Sequence, residues 1–411
     1  MRRIKLPYPS VSNLNVAVVV TVGLLCLVGF LALYSASLNI PAPFFKKVVG
    51  KQLIWMILGA ACMISVMFLQ RKTLFDVAYI GYWIGIVLIV APYFVGVSEA
   101  VAKRWLHLGP FRFQPSELMK IWIIFAIARY LSKTELVISD FRSLIIPLFL
   151  VIFPLAIVLR QPDLGTSIIY LMLVFPMLFW AGARVYHLFI ICAPIISIVT
   201  AFSFYSFFIW VVLLSVVLYF SKEKLWLAIG LFVFNLSLGF VTPVIWNNLK
   251  PYQQNRIMTL FHVDADPQGS GYQVIQSQTA IGSGGLFGKG IGHGTQTHLK
   301  FLPEQHNDFI FSVIGEEYGF AGVIFVSCLF LILFLILINQ AYHQRDRFSS
   351  LIIIGVASIL FFHTAVNISM TIGLLPVTGL PIPFLSYGGS FVITCFLLIG
   401  LVLNFSSERP R

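Results

Sequence analysis

The chain alternates between apolar runs of spanning length and short polar breaks, a rhythm unlike the one-sided stripe of helices packed in a soluble domain. Apolar stretches fall at about 14–36, 52–69, 75–98, 115–132, 143–159 and 165–182, and again at about 225–247, 308–339, 349–374 and 383–405. Between these groups, 187–221 is apolar with a polar interruption near Ser203–Ser206, which reads as an extra helical hairpin. The pattern predicts an all-α polytopic membrane protein of about ten to twelve transmembrane helices, since a helix satisfies its own backbone where no water can. The whole chain, 1–411, reads as a single transmembrane domain. One polar break differs from the rest: 248–307 forms a large extracytoplasmic loop set between the late helices. A connection of this length is usually functional or disordered. Tyr272, Phe301, Phe309 and Phe311 in and around it argue for order, because disordered segments are poor in aromatics.

Composition agrees with a membrane protein. Of 411 residues, 59% are hydrophobic and 10% charged, with a mean hydropathy of +0.94, whereas soluble domains carry about 25% charged residues. The formal charge of +12 sits mainly in short loops between apolar runs, which points to anionic lipid headgroups and against nucleic acid. The opening MRRIK and the run after it read as a first span, with no small-residue cleavage motif of a signal peptide. Placing Arg71, Lys72, Arg129, Lys133, Arg184, Lys222, Lys224, Arg345 and Arg347 inside puts both termini in the cytoplasm and the large loop outside. Lys46, Lys47, Lys51, Lys103, Arg104 and Arg112 then lie outside against the rule, the last three as functional candidates. Cys26, Cys62, Cys192, Cys328 and Cys395 all fall in apolar runs without CxxC spacing and read as buried thiols.

Candidate chemistry gathers at the outer ends of the spans. Pro115 suits the first turn of a helix, so Glu117 and Lys120 share one face at i, i+3. An ionised residue at mid-membrane costs roughly 2.5–3.5 kcal/mol, against about 0.3–0.6 kcal/mol gained per Leu, Ile, Phe or Val. The two should pair and face an internal cavity open to the outside, either as a functional pair or as a structural one. Asp163 reads as a helix N-cap, and Arg160 beside it can meet a phosphate or a headgroup. The glycine run 282–292 is not a nucleotide cradle: Ser283 stands where a Walker A needs Gly, Gly290 where it needs Ser or Thr, and no register gives GxGxxG. It permits positive φ and close backbone approach, or an anion-binding nest to which Lys289 and Lys300 add charge, unless both lysines are simply solvated. His262, His293, His298 and His306 lack zinc spacing, so no metal ligands are assigned; a divalent cation such as Mg2+ bridging carboxylate and pyrophosphate fits better.

Asp264 and Asp266 stand in a turn-forming stretch, and the turn is the first reading of both; the alternative is a carboxylate at the membrane face acting as general base for a sugar hydroxyl. Asn307 or Asp308 can cap the next helix, which then carries Glu316 and Glu317 into the membrane as functional groups or as partners of basic residues. The proline- and glycine-rich stretch 375–390 must be covered by protein or line a wet cavity. His363 and Asn367, at i, i+4 on the preceding helix, read as interhelical hydrogen-bonding groups.

QPSELMK at 114–120, RQPDLGTS at 160–167, DPQGSGYQVIQS at 266–277, AIGSGGLFGKGIGHGTQ at 280–296, FLPEQHNDFIF at 301–311 and LPIPFLSYGGS at 380–390 together resemble the SEDS family (shape, elongation, division and sporulation). The HGTQ at 293–296 leans toward its rod-shape branch. The resemblance implies a peptidoglycan glycosyltransferase that polymerises lipid II onto a nascent glycan strand, during cell elongation and shape maintenance. The site would be the outer face of the bacterial cytoplasmic membrane, with a class B penicillin-binding protein as transpeptidase partner. It places the family's essential aspartate on Asp266, as general base, and its functional pair on Glu117 and Lys120. Arg104 and Arg160, with Lys289 and Lys300, are the further cations expected to bind substrate. The implied reaction inverts the sugar and releases undecaprenyl pyrophosphate. The family typically has ten spans, so the hairpin at 187–221 is a departure. A lipid II flippase and a non-catalytic scaffold for the transpeptidase are the competing readings.

Overall fold

The computed structural model describes residues 16–38, 43–95, 104–108, 111–133, 138, 140–220, 225–249, 254, 258, 270–299 and 301–406. Its helices are α1 (Val16–Ala36), α2 (Val48–Met67), α3 (Arg71–Val90), α4 (Pro115–Leu131), α5 (Ile145–Arg160), α6 (Leu164–Trp180), α7 (Val185–Thr200), α8 (Phe204–Phe220), α9 (Leu225–Asn248), α10 (Ser270–Ser283), α11 (Ile310–His343), α12 (Arg347–Thr371) and α13 (Gly389–Ser406). A two-stranded antiparallel ribbon, β1 (Leu106–Leu108) with β2 (Phe111–Phe113), precedes α4. Eight helices among the described residues are long and apolar enough to cross a membrane, with α6, α7 and α8 as shorter apolar helices. The all-α polytopic architecture is the expected one.

Burial arranges the bundle around α4, α12 and α13, which are covered along most of their length, while the outer helices turn apolar faces outward. α13 packs on α2, α3 on α4, α6 and α11 on α12, and α1 on α11. Small residues set the closest approach, as expected where lipid is as apolar as Leu. A Cβ on Gly400 would stand 2.7 Å from the Met63 carbonyl oxygen. The apolar stretch 187–221 breaks at 201–203 into α7 and α8, which with α9 form a satellite with its own small core of Ile190, Ala193, Trp210, Leu214 and Leu218. Trp210 Nε1 donates to Ser197 Oγ (2.8 Å), and Ser197 Oγ donates to Asn235 Oδ1 (2.9 Å), so the satellite is tied internally by polar contacts.

α11 is broken at Gly319, whose φ of 65° and ψ of −161° interrupt the helix. Gly319 lies about 14 Å along the helix from Ile310 at 1.5 Å per residue, a depth at which irregular backbone needs a protein partner. The glycine run supplies it. Phe320 and Ala321 donate backbone N–H to Gly285 O (2.9 Å) and Leu286 O (3.0 Å), while Lys289 and Gly290 donate theirs to Glu316 O and Glu317 O (both 3.0 Å). A Cβ on Gly288 would sit 2.1 Å from the Glu317 carbonyl oxygen, and one on Gly319 would sit 2.3 Å from the Gly288 nitrogen. The two backbones are in direct contact, so both positions require glycine.

Candidate functional site

At one end of the bundle, the outer end in the orientation derived above, a cavity of about 980 Å³ opens beside the first turns of α4 and α13. Its floor is set by α4. Pro115 starts that helix, and Glu117 and Lys120 follow at i, i+3, both buried. Lys120 Nζ donates to Glu117 Oε1 and Oε2 at 2.8 Å each, and its third contact is His363 Nε2 of α12, also at 2.8 Å. The His363 ring in turn lies 3.2 Å from the Pro381 carbonyl oxygen through Nδ1, and the Phe391 ring packs against both His363 and the Lys120 ammonium. The pairing expected for Glu117 and Lys120 is present; Glu117 reaches the cavity, whereas Lys120 stands behind it, fully buried and off the wall.

The turn before α6 forms a second wall. Asp163 caps α6 by accepting from Thr166 N (3.2 Å) and Thr166 Oγ1 (3.0 Å), the N-cap its position suggests, and it also accepts from Gln114 Nε2 at 3.0 Å. Arg104 lines the cavity and donates to two carbonyls of this turn, Gln161 O at 2.7 Å and Pro162 O. The remaining wall is the stretch 376–388, which is not helical although its sequence is apolar enough to extend α13. Side chains from neighbouring helices hold its backbone: Gln52 of α2 donates to Ser386 O (3.1 Å) and Asn367 of α12 to Leu380 O (2.6 Å), while Asn367 also ties in Asp308 O (2.9 Å) from the end of the large loop. Asp308 lines the cavity at the foot of α11, and Tyr387 N donates to His306 O (2.9 Å), which joins the end of the large loop to this wall. His363 thus makes the interhelical contact expected of it, whereas Asn367 bonds to the carbonyls of two non-helical segments instead of to another helix.

Among the described residues, the cations Lys51, Arg104 and Arg112 line the cavity together with the carboxylates of Glu117, Asp163, Glu304 and Asp308. Lys51 enters from α2 and was legible only as a basic residue on the outer side against the charge rule. Glu304 lies in a turn at positive φ (49°), where its Oε2 accepts from Asn307 Nδ2 at 2.8 Å; nothing in its spacing marks it. Among the described residues, no three His, Cys, Asp or Glu side chains converge as a metal-binding group.

The other sequence-derived candidates lie elsewhere. Arg160 is exposed at the last turn of α5 and does not line the cavity. Lys289 donates to Glu316 Oε1 at 2.9 Å, away from the cavity wall. Glu316 is enclosed: Thr295 Oγ1 (3.1 Å) and Gln296 N (2.9 Å) donate to the same oxygen, and Thr297 N (3.1 Å) and Oγ1 (2.8 Å) to the other. Glu317 Oε1 accepts from Ser35 Oγ of α1 at 2.5 Å, and Ser35 Oγ accepts from Gly292 N at 2.9 Å. Both glutamates therefore anchor the glycine run, and the backbone N–H groups of Lys289, Gly290 and Gly292 are spent on protein acceptors rather than on an anion nest. Asp264, Asp266 and Lys300 lie outside the described residues.

Comparison with known proteins places this geometry among relatives. The FtsW/RodA/SpoVE family model, described as a cell cycle protein, matches residues 16–210 and 206–410. The chain is 31% identical over 438 residues to the peptidoglycan glycosyltransferase RodA of Treponema pallidum, covering 97% of this chain and 99% of that one. It is 36% identical over 329 residues to the peptidoglycan glycosyltransferase MrdB of Escherichia coli, covering 80% and 77%. Among solved structures, it aligns with a chain of a peptidoglycan synthase complex described for the coordination of polymerization and crosslinking. That match has a TM-score of 0.72 and 29% identity, over 96% of this chain and 98% of that one. It also aligns with the rod shape determining protein RodA of Thermus thermophilus (TM-score 0.63, 26% identity, 97% and 98% covered).

Proposed function

The chain belongs to the FtsW/RodA/SpoVE family, the SEDS proteins, and from that premise we propose that it is a peptidoglycan glycosyltransferase polymerising lipid II at the outer face of the cytoplasmic membrane. The observation that carries the reading is the cavity itself: a pocket of about 980 Å³ in a membrane bundle, lined by both polar and apolar groups, with Lys51, Arg104 and Arg112 and the buried Glu117 among them. Such a pocket suits a substrate with a sugar body and a pyrophosphate. The 4-hydroxyl of the incoming lipid II attacks the anomeric carbon of the lipid-linked glycan; the C–O bond to pyrophosphate breaks, undecaprenyl pyrophosphate leaves with the electron pair, and configuration inverts.

The proton of the attacking hydroxyl goes to Asp266, which the resemblance assigns as general base. Charge building on the leaving pyrophosphate is met by the cavity cations, with Arg104 fixed in place by the carbonyls of the α5–α6 turn. Both termini face the cytoplasm in this reading, and a class B penicillin-binding protein crosslinks the strands, as the synthase-complex relative suggests. The rod-shape role rests on HGTQ at 293–296 and on the RodA relatives.

The test is polymerisation of purified lipid II by the chain with its transpeptidase partner, read as glycan length on gels. Asp266→Asn is expected to lower the rate by about 10²–10⁴-fold, the range typical of a lost general base. An undiminished rate removes Asp266 from that role. Lipid II translocation in liposomes without polymer would identify a flippase instead.

A further inference from the structure

Lys120 has the chemistry of a phosphate-binding residue, yet its surroundings leave it nothing to bind with. An ammonium has three donors and no acceptor. Those three donors are matched by Glu117 Oε1, Glu117 Oε2 and His363 Nε2, each 2.8 Å away. The group is fully buried and lies off the cavity wall. Turning to a substrate would strand the fully buried His363 ring nitrogen without a donor, a costly arrangement in the interior.

The same contact fixes the histidine. Because an ammonium can only donate, Nε2 of His363 must accept, and the ring proton is therefore on Nδ1. That is the nitrogen 3.2 Å from the Pro381 carbonyl oxygen, which needs a donor. Pro381 and Phe391 both line the cavity, and Phe391 packs against the imidazole. A continuous chain thus runs from the 376–388 wall through Pro381 and His363 to Lys120, and ends on the Glu117 carboxylate at the cavity floor.

We infer that His363 and Lys120 are positioning residues: they hold the Glu117 carboxylate in one orientation and in register with the Pro381 wall, while substrate charge is met by the cations that line the cavity. The inference rests on the glycosyltransferase reading for its kinetic consequence and on geometry alone for its tautomer. A merely structural ion pair would require neither the acceptor on His363 nor a defined tautomer.

Two measurements test it on the full chain in nanodiscs. The first is ¹⁵N NMR of histidine-labelled protein, with the His363 signal identified as the one lost in His363→Gln. A ring protonated on Nδ1 with Nε2 bare is the expected result; a ring carrying its proton on Nε2 overturns the inference, because that nitrogen could not accept from Lys120. The second is lipid II polymerisation, with the transpeptidase partner, by His363→Phe and His363→Gln. Phenylalanine keeps the bulk and loses the acceptor, whereas glutamine can accept from Lys120 and donate to Pro381. The Phe variant is expected to lose about tenfold or more in kcat, the scale of one hydrogen bond to a charged group, with KM within about twofold, as for an interaction realised in the transition state. The Gln variant should recover most of that loss. Equal kcat in the Phe variant and the parent, or equal damage in both variants, overturns the inference. Should the parent chain form no polymer at all, the glycosyltransferase reading falls, and the tautomer measurement still decides whether Lys120 and His363 are paired as described.

Discussion

Glu316 illustrates how a buried charge is stabilised mainly by backbone and hydroxyl donors. Lys289 is partly exposed, and the other contacts to the carboxylate come from Thr295, Gln296 and Thr297. Lys289→Met removes one of several donors and should cost about 1–3 kcal/mol. Glu316→Ala strands the donors together and should cost on the order of 3–5 kcal/mol. Thermal unfolding in detergent ranks the two; a Lys289 variant as damaged as the Glu316 variant would make the ion pair, and not the surrounding cage, the dominant contact. Local chemistry was legible in the sequence where its partners are near in the chain. Asp163 could be recognised as a cap because its partner Thr166 is three residues on. The partners of Glu316 arrive from the preceding segment 289–297, and no spacing within its own helix points to them; one turn earlier on the same helix, Ser312 meets Ser277 (2.6 Å) instead.

Among the elements, the existence of the helices was written in the apolar runs, but their ends were not always. α13 starts at Gly389 and not near 383, because Phe384 holds a positive φ (65°) and side chains of α2 and α12 capture the Ser386 and Leu380 carbonyls on either side of it. Those captures connect residues far apart in the chain, and no local pattern carries them. The break in α11 falls at a polar dip, Glu316-Glu317-Tyr318-Gly319, within an apolar run, but that dip does not by itself specify an interruption; the φ and ψ of Gly319 do. Gly319→Ala forces a Cβ into the Gly288 nitrogen at 2.3 Å and into a left-handed conformation at once. A loss of roughly 3 kcal/mol or more is expected, since both backbone strain and a displaced contact contribute. Gly282→Ala, where an added Cβ meets nothing within 4 Å, is the matched control and should leave the stability within about 0.5 kcal/mol of the parent. Equal effects would mean that the backbone contact at the break is not limiting.

At the scale of the molecule, the bundle divides into a tightly buried centre and the α7–α9 satellite, which has its own core and polar ties. Asn235→Leu cuts the Ser197 contact inside the satellite and should cost about 0.6–1.7 kcal/mol, the range for interhelical hydrogen bonds in membranes. Protease sensitivity should rise between α7 and α9 while lipid II polymerisation holds; loss of both together would make the satellite part of the catalytic bundle. The all-α, polytopic membrane character was legible from hydropathy. The grouping of Lys51, Arg112, Glu304 and Asp308 around one pocket was not, since these residues come from separate elements and meet only in the folded bundle.

The glycine run precedes α11 in the chain, and this order bears on biogenesis. Residues 284–294 leave the ribosome before Glu316, Glu317 and the interruption at Gly319 do. The cover for the interrupted helix is therefore synthesised ahead of the interruption, and in the orientation proposed above it has already been exported when the helix enters the bilayer. Two glutamates and a break that would each resist insertion alone meet waiting backbone partners. A circular permutant that delivered the loop after α11 would lose that sequence of events while keeping every contact of the finished fold.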